Sequence, residues 1–233
     1  MKYTLALITI SLWFGTVHAQ DPLSKPVASD PSASDPVTSD PMVEAQKLIA
    51  QAQEAIKDGR AEDAIDLLQK AIGALQSIEK AGLSGLLPDP PDGWSATEPQ
   101  AQSGNWGSGA QAFQWTTANR RYTHENEGTQ VEITITNSPQ LVTAQQQTIA
   151  AFKNPQLAKL LRQQQGQKLD IFDDRGWSGY SAKEEEPPGG NLIAIKEKTL
   201  ITIRVHGGPA THLDVFWKKM NLGDKKPKDA PGS

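Results

Sequence analysis

Asp173-Asp174, beside Arg175 and Gly176, is the carboxylate pair of this chain with the best spacing for acid–base or calcium chemistry. Acids in front of Arg-Gly also describe a turn capped by its own Asp side chains, and that is the simpler reading. Histidines are the next place to look. His124, His206 and His212 lie at two strand ends and a helix start, and none is spaced i, i+4 from another histidine or a carboxylate in a helical metal motif. The expectation is surface imidazoles rather than zinc ligands or a His-based triad. Gly176-Trp177-Ser178-Gly179-Tyr180 comes nearest to a nucleophile elbow, but it reads as strand and does not complete Gly-x-Ser-x-Gly. Gly104-Asn105-Trp106-Gly107-Ser108-Gly109 lacks the spacing of a phosphate loop and no helix follows it. Glu184-Glu185-Glu186-Pro187-Pro188-Gly189-Gly190 is a solvated hairpin loop. With no cysteine in 233 residues, thiol catalysis, cysteine metal sites and a lipid-modified cysteine are excluded. No catalytic residue, metal ligand or cofactor site is expected.

Charge narrows the partners further. The formal net charge is −4, so no basic excess gathers phosphates and no nucleic-acid partner is expected. The one basic cluster, Lys218, Lys219, Lys225, Lys226 and Lys228, is interrupted by acids and prolines and reads as a solvated tail over residues 223–233.

The elements that must position these residues start with a leader. Lys2, the apolar run Leu5 to Phe14, and Val17-His18-Ala19 before Gln20 have the form of a secretory signal peptide over residues 1–19, cleaved between Ala19 and Gln20. The run is shorter than the about 20 apolar residues a membrane span requires. The expectation is a periplasmic or secreted protein, with no stable membrane insertion after cleavage. Residues 20–41 form a Ser/Asp/Pro spacer in which Ser29-Asp30-Pro31, Ser34-Asp35-Pro36 and Ser39-Asp40-Pro41 recur. Its prolines disfavour helix and it has almost no apolar surface to bury, so it is expected to be disordered.

Between Met42 and Lys80 there is no proline, and Ala, Gln, Glu, Lys and Leu dominate. Val43, Leu48, Ile49, Ala52 and Ile56 mark one apolar stripe; Ile65, Leu68, Ile72 and Leu75 mark a second, with Asp58-Gly59-Arg60 between them. This predicts an antiparallel helical hairpin over residues 42–81. Residues 82–93, with Pro88, Pro90 and Pro91, read as a second linker. Two such helices bury a stripe against each other without covering it fully, so Leu68, Ile72 and Leu75 are candidates for contact with a protein partner, a second copy or the C-terminal domain folded back over the second linker, with intermolecular contact favoured. Trp106 is a further contact candidate, because a Gly/Ser-rich stretch seldom supplies a core. Trp94, Trp177 and Trp217 are expected in the core.

From Trp94 the period changes. Val131, Ile133 and Ile135 alternate with Glu132, Thr134 and Thr136 as in a half-buried strand, and Arg120 to His124 pairs with it through Asn126-Glu127-Gly128. A helix after Pro139 carries Leu141, Gln145, Ile149 and Phe152, and a short second helix carries Leu157, Leu160 and Leu161. Strands follow at residues 168–172, 177–182, 192–196 and 199–206, then a closing helix with Leu213, Phe216, Trp217 and Met220. The order predicts an α+β domain over residues 94–222, an antiparallel sheet covered by helices.

Two resemblances accompany this. Gly59-Arg60-Ala61-Glu62-Asp63-Ala64-Ile65 with Leu68 and Ala71-Ile72 resembles the hairpin of a tetratricopeptide repeat, in a single copy without the repeat's aromatic positions. Pro90-Pro91-Asp92-Gly93-Trp94, Arg121-Tyr122, Val131 to Ile135, Gly176 to Tyr180 and Phe216-Trp217-Lys218-Lys219 resemble a group of secreted bacterial proteins with a Mog1/PsbP-like α/β/α sandwich. That resemblance implies a binding or accessory module and carries over no site residue. The expected function is a non-catalytic binding or assembly module of the bacterial envelope; the alternative is an envelope hydrolase.

Overall fold

Asp40 starts the first helix: its carboxylate accepts from the Met42 N–H at 2.9 Å, and Pro41 at the first position has no N–H to leave unpaired. The computed structural model describes residues 40–106, 113–154, 156 and 168–223. Helix α1, Pro41–Lys57, ends where Gly59 takes a φ of +73°. There the Arg60 N–H reaches the Ala55 carbonyl at 2.8 Å and the Gly59 N–H the Ile56 carbonyl at 3.1 Å, a Schellman turn. Helix α2, Ala61–Gly85, then returns along α1.

Where the sequence suggests a linker at residue 82, α2 continues through Gly82 to Gly85. Nothing lies within 4 Å of the space a side chain would take at either glycine, so neither is required by contact. Each costs about 1 kcal/mol in a helix interior. Leu83 and Leu87, both buried in the sheet core, offset that at roughly 1.5–3 kcal/mol apiece. Pro88 is fully buried too, and its carbonyl accepts from Tyr122 Oη at 2.8 Å and Arg120 at 2.9 Å. These residues are core, not spacer.

The sheet has eight antiparallel strands: β1 Trp94–Ala96, β2 Gln100–Trp106, β3 Phe113–His124, β4 Gln130–Thr136, β5 Lys168–Asp174, β6 Trp177–Glu184, β7 Gly189–Lys196 and β8 Thr199–His206. Their order is β1-β3-β4-β8-β7-β6-β5, with β2 following β1 along the same edge of β3. Helix α3, Pro139–Lys153, lies between β4 and β5 in the chain, and α4, Thr211–Lys219, follows β8. Strands β1 and β2 and the first half of β3 go beyond the expected element order. The leucines at 157, 160 and 161, the leader with Ala19 and Gln20, most of the spacer and the tail beyond Gly223 lie outside the described residues.

Register builds the layers. One row crosses six strands as Ala118, Ile135, Ile201, Ala194, Gly179 and Phe172. This face packs against α4, through Leu213, Phe216 and Trp217, and against Leu83 and Leu87 at the end of α2. The other face packs against α3, whose Val142, Ile149 and Phe152 meet Leu169, Tyr180, Ile193, Ile195 and Leu200. Val142 takes the inward place expected of Leu141, which is half exposed. The class is α+β, a helix–sheet–helix sandwich preceded by a hairpin, as the sequence pattern predicts.

Candidate binding surface

The hairpin seam is built from small residues. Ala45, Ala52 and Ala55 of α1 and Ala64 and Ala71 of α2 are buried, and Leu48, Leu67, Ala74 and Ile78 are half-buried between them. Steps of three and four put each set on one stripe, and small side chains let the two helices approach closely. The large apolar residues stand one position further on: Met42, Ile49 and Ile56 on α1, and Ile65, Leu68, Ile72 and Leu75 on α2. One position is a rotation of about 100°, and in an antiparallel pair it turns both helices to the same side. The seven side chains therefore form one face, each 36–60 % exposed. The opposite side, one position before the seam, carries Glu44, Lys47, Glu54, Asp63, Asp66 and Lys70, all exposed.

Leu68, Ile72 and Leu75, singled out by sequence, thus lie together on this face. Its other members are Met42, Ile49, Ile56 and Ile65; of the apolar stripe expected on α1, Leu48 and Ala52 face the seam while Ile49 and Ile56 face outward, and the stripe expected on α2 is the outward one. The available signal was residue size: two three-four repeats interleave in α2, one mostly alanine and one entirely Ile and Leu. Trp106 ends β2 opposite Phe113.

Glu79 fixes the hairpin to the sheet. Its two carboxylate oxygens accept from Thr116 Oγ1 of β3 and from Asn137 Nδ2 just after β4. Asn137 Oδ1 in turn accepts from the Thr116 N–H at 2.6 Å. Asn221 closes the other side, its amide reaching the Gly85 carbonyl at 3.2 Å. The face is presented by a helix whose far end is locked into the sandwich.

The remaining polar clusters are engaged within the fold. Asp173 accepts from Ser178 Oγ and from Lys153 of α3 at 3.0 Å; those two contacts, the serine first, hold its carboxyl below the usual range. Asp174 accepts from Trp217 Nε1 of α4 at 2.7 Å and Arg175 Nε at 3.0 Å, with the same direction of shift, led by the tryptophan. Arg175, at φ +50°, also lies over the Trp217 ring at 5.1 Å. The pair ends strand β5 beside the Arg175-Gly176 turn, and instead of capping that turn, as expected, its carboxylates tie down helices on both faces of the sheet. Burial pushes the Tyr122 hydroxyl up to about 12. In the groove between α3 and β6–β7, Lys153 is taken by Asp173, and Lys196 reaches the Arg175 carbonyl at 3.4 Å.

His124 and His212 flank Trp94, each ring edge-on to it at 5.0 Å. Both are mostly covered, where surface imidazoles were expected. Glu127 Oε2 stands 3.9 Å from His124 Nδ1 and 3.7 Å from His212 Nε2, nitrogens that are shielded and make no hydrogen bond. Among the described residues no group of three or more His, Asp or Glu is arranged to hold a metal ion. Trp94, Trp177 and Trp217 are buried. Among the described residues no helix is long and apolar enough to cross a membrane. No protein-family model matches the chain, and neither does any curated protein or any solved structure.

Proposed function

We propose that this chain is an exported, non-catalytic binding or assembly module of the bacterial envelope that works through the apolar face of its hairpin. The observation that carries the reading is the placement of seven large apolar side chains on the outside of a helix pair whose most buried residues are alanines. A contiguous apolar patch rimmed by polar residues marks an interaction site, and selection for folding alone does not keep Ile and Leu in water. The leader residues 1–19 supply the export half of the proposal, and the likeness to Mog1/PsbP-like secreted proteins belongs to the same reading.

The test is cross-linking in the envelope of a bacterial host, followed by purification and mass spectrometry, with wild type and the double variant Leu68→Glu/Ile72→Glu side by side. The expected result is a mature chain beginning at Gln20 whose cross-linked species, itself included, disappear in the variant. Equal cross-linking by both chains removes the face from the function, and a chain that still begins at Met1 in the membrane fraction ends the export half.

A further inference from the structure

We propose that the occupant of the hairpin face is a second copy of this chain, the two hairpins closing face to face into a four-helix bundle; this rests on the binding-module reading above and names its partner. Three observations select a like copy. The first is spacing. Helix α2 carries two adjacent apolar stripes at three-four steps, and α1 carries its seam stripe beside one in which Met42, Ile49 and Ile56 alternate with Gln46 and Gln53; on each helix one stripe is used inside the hairpin and one is left open. A helix with two such stripes is what a bundle of four needs, since each helix there touches two neighbours.

The second is charge. Between Met42 and Gln76, the positions one past the seam are Met42, Gln46, Ile49, Gln53 and Ile56 on α1, and Ile65, Leu68, Ile72 and Leu75 on α2. None is charged. In a two-fold contact the same patch meets itself, so a charge near the axis faces its own image and repels it; a face of Ile, Leu and Gln avoids that cost. An anionic membrane surface is a poorer match, because residues 41–85 hold seven acidic side chains against five basic ones.

The third is area. The seven partly exposed side chains leave roughly 600 Å² of apolar surface uncovered, at the upper end of what monomers show in one patch. Two such faces bury about 1,200 Å², which reaches the lower bound of specific interfaces.

Mass measurement by light scattering and sedimentation of the full chain, over roughly a hundredfold range of concentration, tests this by mass action. Twice the 25.2 kDa chain mass at high concentration, falling toward the single mass on dilution, is the expected result. Leu68→Glu/Ile72→Glu and the uncharged pair Leu68→Gln/Ile72→Gln should both shift the transition at least tenfold toward monomer, with circular dichroism unchanged. Asp66→Ala, on the polar side, should leave it in place. A mass that stays at one chain throughout, or a dimer indifferent to both double variants, overturns the proposal. Were the chain monomeric while the envelope cross-links of wild type still vanished in Leu68→Glu/Ile72→Glu, a different protein would occupy the face and the binding-module reading would survive alone.

Discussion

In the sandwich, the side chains with no exposure include Tyr122, Ile133, Ile135, Ile201 and Ile203 of the sheet and Phe216 of α4; in the hairpin the most buried are Ala45, Ala52, Ala55, Ala64 and Ala71, while Ile49, Ile56, Ile65 and Ile72 face outward. The same residue type is inside one region and outside the other. Apolar character alone does not decide which way a side chain faces. What decides is the gap to be filled: a sheet about 10 Å from its covering layer requires large side chains, whereas two helices can meet over alanines alone. The hairpin seam removes less apolar area per residue, so α1 and the first part of α2 are held mainly by each other and by whatever covers the open face. The sandwich supplies its own burial.

The comparison breaks most visibly at Ile203, fully buried between Ile133 and Leu192 across the strands. Ile203→Ala leaves a cavity and should lower stability by about 2–5 kcal/mol, read as a fall in the main calorimetric transition. Next in size is Ala71→Leu, which forces a large side chain into the alanine seam at about 1–3 kcal/mol. Its effect should be confined: amide exchange quickens in α1 and the first part of α2 while β4 and β8 stay protected. An equal loss in the sheet would mean that the two regions unfold as one and that the contrast between them has no energetic content.

The smallest effect is at the β5–β6 turn. Asp173 and Asp174 have folded pKa values below their unfolded ones, so their stabilisation is present above the unfolded carboxylate value and is lost as pH falls through the folded value. Acid should therefore loosen α3 and α4 from the turn, seen in the Trp217 indole N–H resonance. Asp174→Asn keeps an acceptor for that N–H and should abolish the pH response of the resonance. A response unchanged in Asp174→Asn would assign the titration to another group.

What was legible in the sequence follows the same division. Strand β4 alternates cleanly and β8 does so from Ile201 onward, and the sandwich class follows from them; Leu200, next to Ile201, already belongs to the core on the other face. Gln100-Ala101-Gln102-Ser103-Gly104-Asn105 has no such alternation, since β2 is an edge strand that buries little. Its Gly104 reflects a neighbour rather than a turn: a side chain there would stand 2.9 Å from the Trp115 ring. Glu79 reads as one more solvated helix charge, for its partners Thr116 and Asn137 are 37 and 58 residues away. The Asp173-Asp174 turn was readable locally, but Lys153 and Trp217, which give the pair its purpose, were not. In the hairpin both stripes were visible, and only the packing of small against small tells which one closes inward.

Helix α2 is a single run of 25 residues, about 37 Å of unbroken helix. Its last turns, from Glu79 to Gly85, are fastened to the sheet, and its first two-thirds carry the open face. In mechanical terms it is a lever with its fulcrum inside the sandwich. A load applied near the Gly59 turn reaches the packing around Tyr122 and Phe216 without crossing a flexible joint, so whatever grips the hairpin also sets the attitude of the sheet it is bolted to.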